Sequence, residues 1–596
     1  MIIPALVEYY EQLRRERPDE VARPGWCSQK VRARLVLTPN GELRNIQLLG
    51  EDLKGVSQMV PDQVKRSSGV AANFLCDNSS YFLGIDDKGK PERSKKCFEA
   101  SRDRHHQLLS GIDCLCARAI LQFFDTWDLE QAREHPAVNS VDWTVLTAGN
   151  LAFTVVGEDG SLRNAENDEA IVQAWDRACM SDGDVDIMTC LVTGERGPIA
   201  RLHPSIKGVA GAQSSGATLV GFNAPAFESY GHEQGANAPV GVASVQAYGT
   251  ALNYLLGNAK HRIRLGDTTV VYWASHKDAG NCSLMSALLG GVPASKEDGE
   301  SLSDDDLAAI MEDIRLGKPG RHDRIDLGAE FYILGLAPNA ARLSVRFFYH
   351  GQFGSMLANI ARHYERLELA CPPKMSALVL TPCYLLEEIE NQNAKSPIVS
   401  SVLTDGLFKA VLEGGRYPEA LYENALLRIR ATREVSWGRA SIIKAYLLRN
   451  AGKSESEVTV ALNRSRNETA YALGRAFAIL EGIQEKANGK ATIADRYLDA
   501  ACATPATVFP VLLKLSQSHR SKIERSGSEG LARWFERELE ETLSEENVLV
   551  LPRRLSLIEQ GDFFLGYYQQ KWRDHKPKTT DAEITESAEI AENQEA

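Results

Sequence analysis

At 596 residues the chain exceeds what one hydrophobic core can hold, so three or four domains are expected. A hydrophobic content of 43% is ordinary for a globular protein. The formal net charge of −13 excludes a histone-like or otherwise globally basic nucleic-acid binder, while leaving local basic patches free to do that work.

In chain order, Pro4 suits a first helical turn, and Leu6, Tyr9, Tyr10 and Leu13 continue it as an apolar stripe. Lys30 to Thr38 alternates as a strand, with Val31, Ala33, Leu35 and Leu37 on one face. The other face carries Lys30, Arg32 and Arg34, cations that can meet a phosphate backbone or simply be solvated. Asn40-Gly41 signals a hairpin, returning through Leu43 to Leu49. From Lys65 to Gly84 a glycine-led block sets Lys65 and Arg66 beside the amides Asn73 and Asn78, around Phe74 and Leu75. A helix with a basic start (Arg93, Lys95, Lys96) spans Phe98 to Phe124, broken near Ser110-Gly111. Strands are expected at Leu151 to Val156 and Thr268 to Trp273, and a helix at Val242 to Leu256. An acidic helix start follows at Ser301 to Ile314. Two more strands, Phe331 to Ala337 and Leu343 to Tyr349, flank Pro338-Asn339, with Arg342 and Arg346 sharing a face.

After Gly351 helical patterns dominate: 353–369, 385–390, 398–412, 418–431 and 437–448, then 470–486 (with Asn467 as its cap), 493–502, 506–523, 531–543 and 555–572. Residues 421–470 carry nine basic and five acidic side chains, Lys444, Arg464 and Arg466 among them. The fold class is therefore an α+β N-terminal half with mixed or antiparallel sheets, followed by an all-α C-terminal half ending in a helical bundle. The expected domains are 1–350, a helical connector 351–455, a bundle 456–575 behind the polar linker Asn450 to Glu457, and an acidic disordered tail 576–596.

The stretch Ile206 to Asn237 mixes Gly208, Gly211, Gly216 and Gly221 with Lys207 and the hydrogen-bonding side chains Gln213, Ser214, Ser215, Asn223, Gln234 and Asn237. Glycines let a backbone approach a ligand closely. This stretch resembles the central motif of the large subunit of type I-C CRISPR-associated Cascade, an RNA-guided DNA surveillance complex. The blocks 66–84, 222–239, 331–349, 421–450 and 495–519 are similar to further signatures of that family, in the family order, so the resemblance covers nearly the whole chain.

The resemblance implies a non-catalytic subunit in which guide pairing reads the target, while the protein reads a short adjacent motif, T-rich in this family, in duplex DNA and helps open it. Implied partners are the 5′ end of the guide RNA, double-stranded target DNA and its displaced strand, the backbone and small Cascade subunits, and a recruited helicase-nuclease. For that work Lys65, Arg66, Asn73, Asn78, Lys207, Gln213, Ser214, Ser215, Asn223 and Gln234 are candidate DNA contacts. Arg32, Arg34, Arg342, Arg346, Arg464 and Arg466 are candidate backbone contacts, and Phe74 and Phe222 candidate wedges at the opened step. The family can also make its small subunit by internal translation, and Val458, Val460 or Leu462 offer positions for a non-AUG start.

Enzyme signatures are sparse. Gly216 is followed by Ala217-Thr218 rather than the Lys-Ser/Thr of a nucleotide-binding loop, and no H-E-x-x-H or G-x-S-x-G occurs. The alternative reading is a metal-dependent nuclease built on His322-Asp323. Eleven cysteines lack ligand spacing, so neither metal nor cofactor is expected. The first residues lack a signal-peptide pattern and no apolar run reaches the ~20 residues of a membrane span, which leads to the expectation of a cytoplasmic protein without a membrane partner.

Overall fold

The computed structural model describes residues 1–574 apart from 18–20, 51–54, 65, 67–68, 87–88, 182–185, 276–279, 291–308, 311–312, 314–324, 372–379, 392–399, 491 and 545–546. The expected acidic helix start, the His322-Asp323 pair and the tail lie wholly or largely outside these residues.

The first half is α/β, with mixed and antiparallel sheets, and the second half is helix-rich. Two compact units are present: residues 1–206 with 218–254, and 207–217 with 255–596. In the first unit, helix α1 (Ile2–Glu16) buries Leu6, Tyr9, Tyr10 and Leu13, the stripe its spacing predicts. Strand β1 (Trp26–Leu37) is the spine of the sheet. It pairs antiparallel with β2 (Leu43–Leu48) and β3 (Val56–Pro61). On its other side it pairs in parallel with β5 (Asn150–Val156), and β4 (Cys76–Asn78) adds antiparallel to β5. The Asn40-Gly41 hairpin forms as its dipeptide predicts. Gly41 sits at φ 79°, where a Cβ would strike the backbone of Ala119 and Phe123, so only glycine fits. Helices α2 (Pro91–Leu109) and α3 (Leu115–Thr126) correspond to the helix expected over Phe98 to Phe124 and its break. The first starts seven residues earlier than expected because Pro91 occupies its first turn. Helix α4 (Val242–Gly257) closes the unit.

The second unit begins with a meander of β6 (Arg262–Leu265), β7 (Thr268–Ala274), β8 (Glu330–Asn339) and β9 (Arg342–Gln352). Among the described residues ten helices follow: α5 (Phe353–Leu367), α6 (Pro382–Ile389), α7 (Ser401–Glu413), α8 (Glu419–Thr432), α9 (Trp437–Arg449), α10 (Thr469–Asn488), α11 (Ile493–Ala503), α12 (Pro505–Arg525), α13 (Glu529–Thr542) and α14 (Leu557–Lys571). The N-cap of α10 is Glu468, one residue beyond the expected Asn467.

The units part near residue 254, not at 350. Tyr272, Phe331 and Phe347 of the meander bury their apolar faces in the same core as Phe408, Tyr422, Phe477 and Phe563 of the helices. That core also crosses the linker expected to isolate residues 456–575. Tyr422 Oη donates to Leu557 O (2.8 Å), Tyr568 Oη donates to Ala370 O (3.0 Å), and Val458 is 1% exposed. No helix among the described residues is long and apolar enough to cross a membrane.

Candidate nucleic-acid interface

A cleft of about 590 Å³ opens in the first unit between the loop after β3, the start of α2 and the start of β5. The loop through Asn73 is pinned from beneath. Asp77 is 1% exposed and receives N–H bonds from Asn73 (2.9 Å) and Asn78 (2.8 Å), while the Arg66 guanidinium grips both its oxygens and lies over the Tyr81 ring. Leu75, at φ 57°, is held in that strained conformation by donating its N–H to His105 Nε2 (3.2 Å). Burial pushes the His105 imidazole down to about 4, so it stays neutral, with Nδ1 donating to Ser101 O (2.7 Å).

Onto this base the fold brings polar groups facing the cleft. Asn78 caps the one-turn helix Ser79–Phe82 through its carbonyl oxygen, which receives Ser80 N–H at 3.1 Å, leaving its amide N–H2 available. Asn150 stands beside it, paired in register with Asn78 and flanked by Gly149, which packs against half-exposed Arg32. Lys90 and Arg93 are exposed at the N-terminal end of the 19-residue α2, where their two side chains bring positive charge to the cleft. One carboxylate, Asp86, is tied to Ser94 Oγ and Lys90 N–H. The arrangement can hold a phosphate on its cationic wall and present amides to a base edge.

Several expected contacts are placed elsewhere. Asn73 is 6% exposed and spent on Val64 N–H (2.8 Å) and Gln63 (2.5 Å), so it clamps the loop and cannot read a base. Phe74 is 1% exposed, packed on His105 and Trp175, and is no wedge. Arg34 is buried against Glu166 and Thr154 because β1 is covered on both faces in its second half. Arg66 lines the cleft, but with its charge matched by Asp77. Lys65 lies outside the described residues. Phe222 is half-buried, Asn223 is exposed, and Gln234 Oε1 accepts from Arg201 Nε at 2.6 Å.

The glycine stretch is split between the units. In the second unit Lys207, Gln213, Ser214 and Ser215 are exposed on a loop anchored by Ala210 N–H to Thr269 Oγ1 (3.0 Å), and Gly211 lies against Pro338 at the β8–β9 turn. Half-buried Arg342 follows that turn, whereas Arg346 occupies a bulge and pairs with Asp267 at 3.4 Å. Arg464 is matched by Glu538 and Glu541. Arg466, 4% exposed, is gripped by Asp562 and Glu468, so neither of these two arginines offers a free cation to a strand. What the sequence reading missed were Lys90 and Asn150, whose only signal was their place at a helix start and a strand start.

Lys444 illustrates the same displacement of charge inward. It donates to the carbonyls of Glu365 (3.3 Å) and Arg366 (3.1 Å) at the end of α5, and burial pushes its ammonium down to about 8 from 10.5. Between those values the unfolded chain binds a proton the folded chain has shed, so stability rises with pH across that window. Melting midpoints from pH 7.5 to 10.5 are expected to show this rise in the wild type and a flatter profile in Lys444→Met. Equal profiles would refute the assignment.

Among the described residues no group of three or more His, Cys, Asp or Glu is placed to hold a metal ion. With this geometry in place, comparison with known proteins gives the class: the chain is a CRISPR-associated protein and a Cascade component. It belongs to the family described as CRISPR-associated protein (Cas_Csd1), which matches residues 6–573 and is the large-subunit family of type I-C Cascade. No curated protein matches the chain.

Proposed function

We propose that this Cascade subunit reads the short motif adjacent to the target in duplex DNA, promotes strand opening beside it, and presents the opened target to a recruited helicase-nuclease. In this reading the chain cuts nothing itself, binds the 5′ end of the guide RNA and the neighbouring backbone and small subunits, and can also yield its C-terminal bundle as a separate small subunit. The observation that supports it best is the cleft. Lys90 and Arg93 supply phosphate contacts and Asn78 and Asn150 supply base-edge amides, beside a loop held by buried Asp77 and His105. The exposed Lys207–Ser215 loop offers a second polar surface of the same chemistry.

The test is binding of the assembled complex to duplexes that differ only in the flanking motif. Asn78→Ala is expected to lose about 1–3 kcal/mol of discrimination for each base contact removed. Arg93→Ala and Lys207→Ala should weaken all targets alike and each reduce the salt slope by about one. Asn73→Ala should instead lower the melting midpoint. Unchanged discrimination in Asn78→Ala together with an unchanged salt slope in Arg93→Ala would remove the cleft from the DNA path. Cleavage of labelled DNA or RNA by the purified chain with Mg²⁺ or Mn²⁺ would overturn the non-catalytic reading.

A further inference from the structure

Within the first unit, the loop 225–237 spends its polar side chains on itself. Ser229 N–H donates to Asn237 Oδ1 (2.8 Å), and Asn237 Nδ2 donates to the carbonyls of His232 and Gln234 (3.0 Å each). Gln234 N–H donates to Glu228 Oε1 (3.2 Å), and Gly235 N–H donates to Arg201 O (3.0 Å). At the tip of this braced loop Tyr230 stands 98% exposed, with no hydrogen bond or ring contact among the described residues. Its φ is 57° and that of Gly231 is 74°. A tyrosine in the left-handed region is strained where glycine would be relaxed, so the scaffold holds an aromatic ring outward against a local preference for a smaller residue. Phe227, 38% exposed, and exposed His232 put two more flat rings within the same turn.

The occupant follows from chemistry. Residues 222–240 contain no Lys or Arg and two carboxylates, Glu228 and Glu233, and the arginine bonded to this loop, Arg201, meets Gln234 four residues past Tyr230, so the tip itself carries no cation for phosphate. What it offers is a rigid aromatic face, which matches the face of an unstacked nucleobase. We infer that Tyr230 stacks on a base exposed where the target duplex separates, and so holds the first opened step. This rests on the DNA-opening reading above and replaces Phe74 and Phe222 as the wedge. The carboxylates keep the tip off the duplex backbone, and the ring engages only once a base is unpaired.

The experiment uses the complete complex with Tyr230→Ala, Tyr230→Gly, Tyr230→Phe and Tyr230→Trp. Two probes carry 2-aminopurine at the first position beyond the motif: a fully paired target and one already opened there by a short mismatched bubble. On the bubble, wild type and the Phe and Trp variants should quench the unpaired 2-aminopurine, whereas Ala and Gly should lose the quench. On the paired target Ala and Gly should lower the opened fraction by about ten-fold, with affinity for motif-bearing duplex kept within about two-fold. Tyr230→Gly relieves the backbone strain and should melt no lower than wild type, which separates a lost ring from a lost fold. Quenching by the Ala and Gly variants equal to wild type overturns the proposal, and so does failure of either variant to assemble, which would make the tip a protein contact. Failure of wild type to discriminate motifs would sink the motif reading instead, because the bubble still reports on Tyr230 by itself.

Discussion

Replacing Asp562 by alanine is expected to lower the stability of the protein by about 3–5 kcal/mol, because it removes the one buried carboxylate that two cations share and leaves them only a partner at the solvent edge. Asp562 is 2% exposed on α14 and accepts from both Arg466, which is 4% exposed, and Lys453 Nζ at 2.8 Å. Glu468 adds a second carboxylate to the same pair of cations, but at the edge of the cluster, where its side chain is 36% exposed. It cannot follow the guanidinium inward. Chemical denaturation of Asp562→Ala and Glu468→Ala should therefore give a large loss for the first and a clearly smaller one for the second. Equal losses would show that the cluster is solvated and that the buried pair is not what holds it.

The second large effect concerns the C-terminal bundle. A chain begun at Val458 is expected to melt well below the full protein and without a sharp cooperative transition. It forfeits Lys453 from the Asp562 cluster, the Tyr422 bond to Leu557 and the Ala370 acceptor of Tyr568, and it exposes the faces of α10 and α14 that share a core with α8 and α9. A chain begun at Pro382 keeps α6 to α9 and should melt cooperatively. Calorimetry of both decides the matter, and a sharp transition at the same temperature in both would mean that the bundle core is sufficient. A separate small subunit starting near this point would accordingly need a partner surface over the face that α8 and α9 cover here.

Local chemistry was readable from the chain. The Asn40-Gly41 turn, the stripe of α1 and the breaks between helices are set by neighbours a few residues apart, and the structure places them where those neighbours require. Long-range burial was not. Arg34 alternates like a solvent-facing residue, and only the arrival of β5 and Glu166, more than a hundred residues later, encloses it. Asn73 and Asn78 look alike in sequence, yet Val64 and Gln63 consume one while the other caps a helix turn at the rim of the cleft. Tyr230 was hidden for the opposite reason: exposure at a loop tip leaves no periodic trace, and the φ of a single residue leaves none at all.

The parallel pairing of β1 with β5 also has a kinetic side. Arg34 and its acceptor Phe153 O are 119 residues apart, so the strand that covers this edge of the spine is made long after the spine itself. The β1–β2 hairpin can close on its own, but the nascent chain waits with one long edge of β1 open until residues 150–156 leave the ribosome. During that interval the open edge is a template for any other extended segment, and its closure is the step at which slow translation or crowding would first divert newborn chains into aggregates.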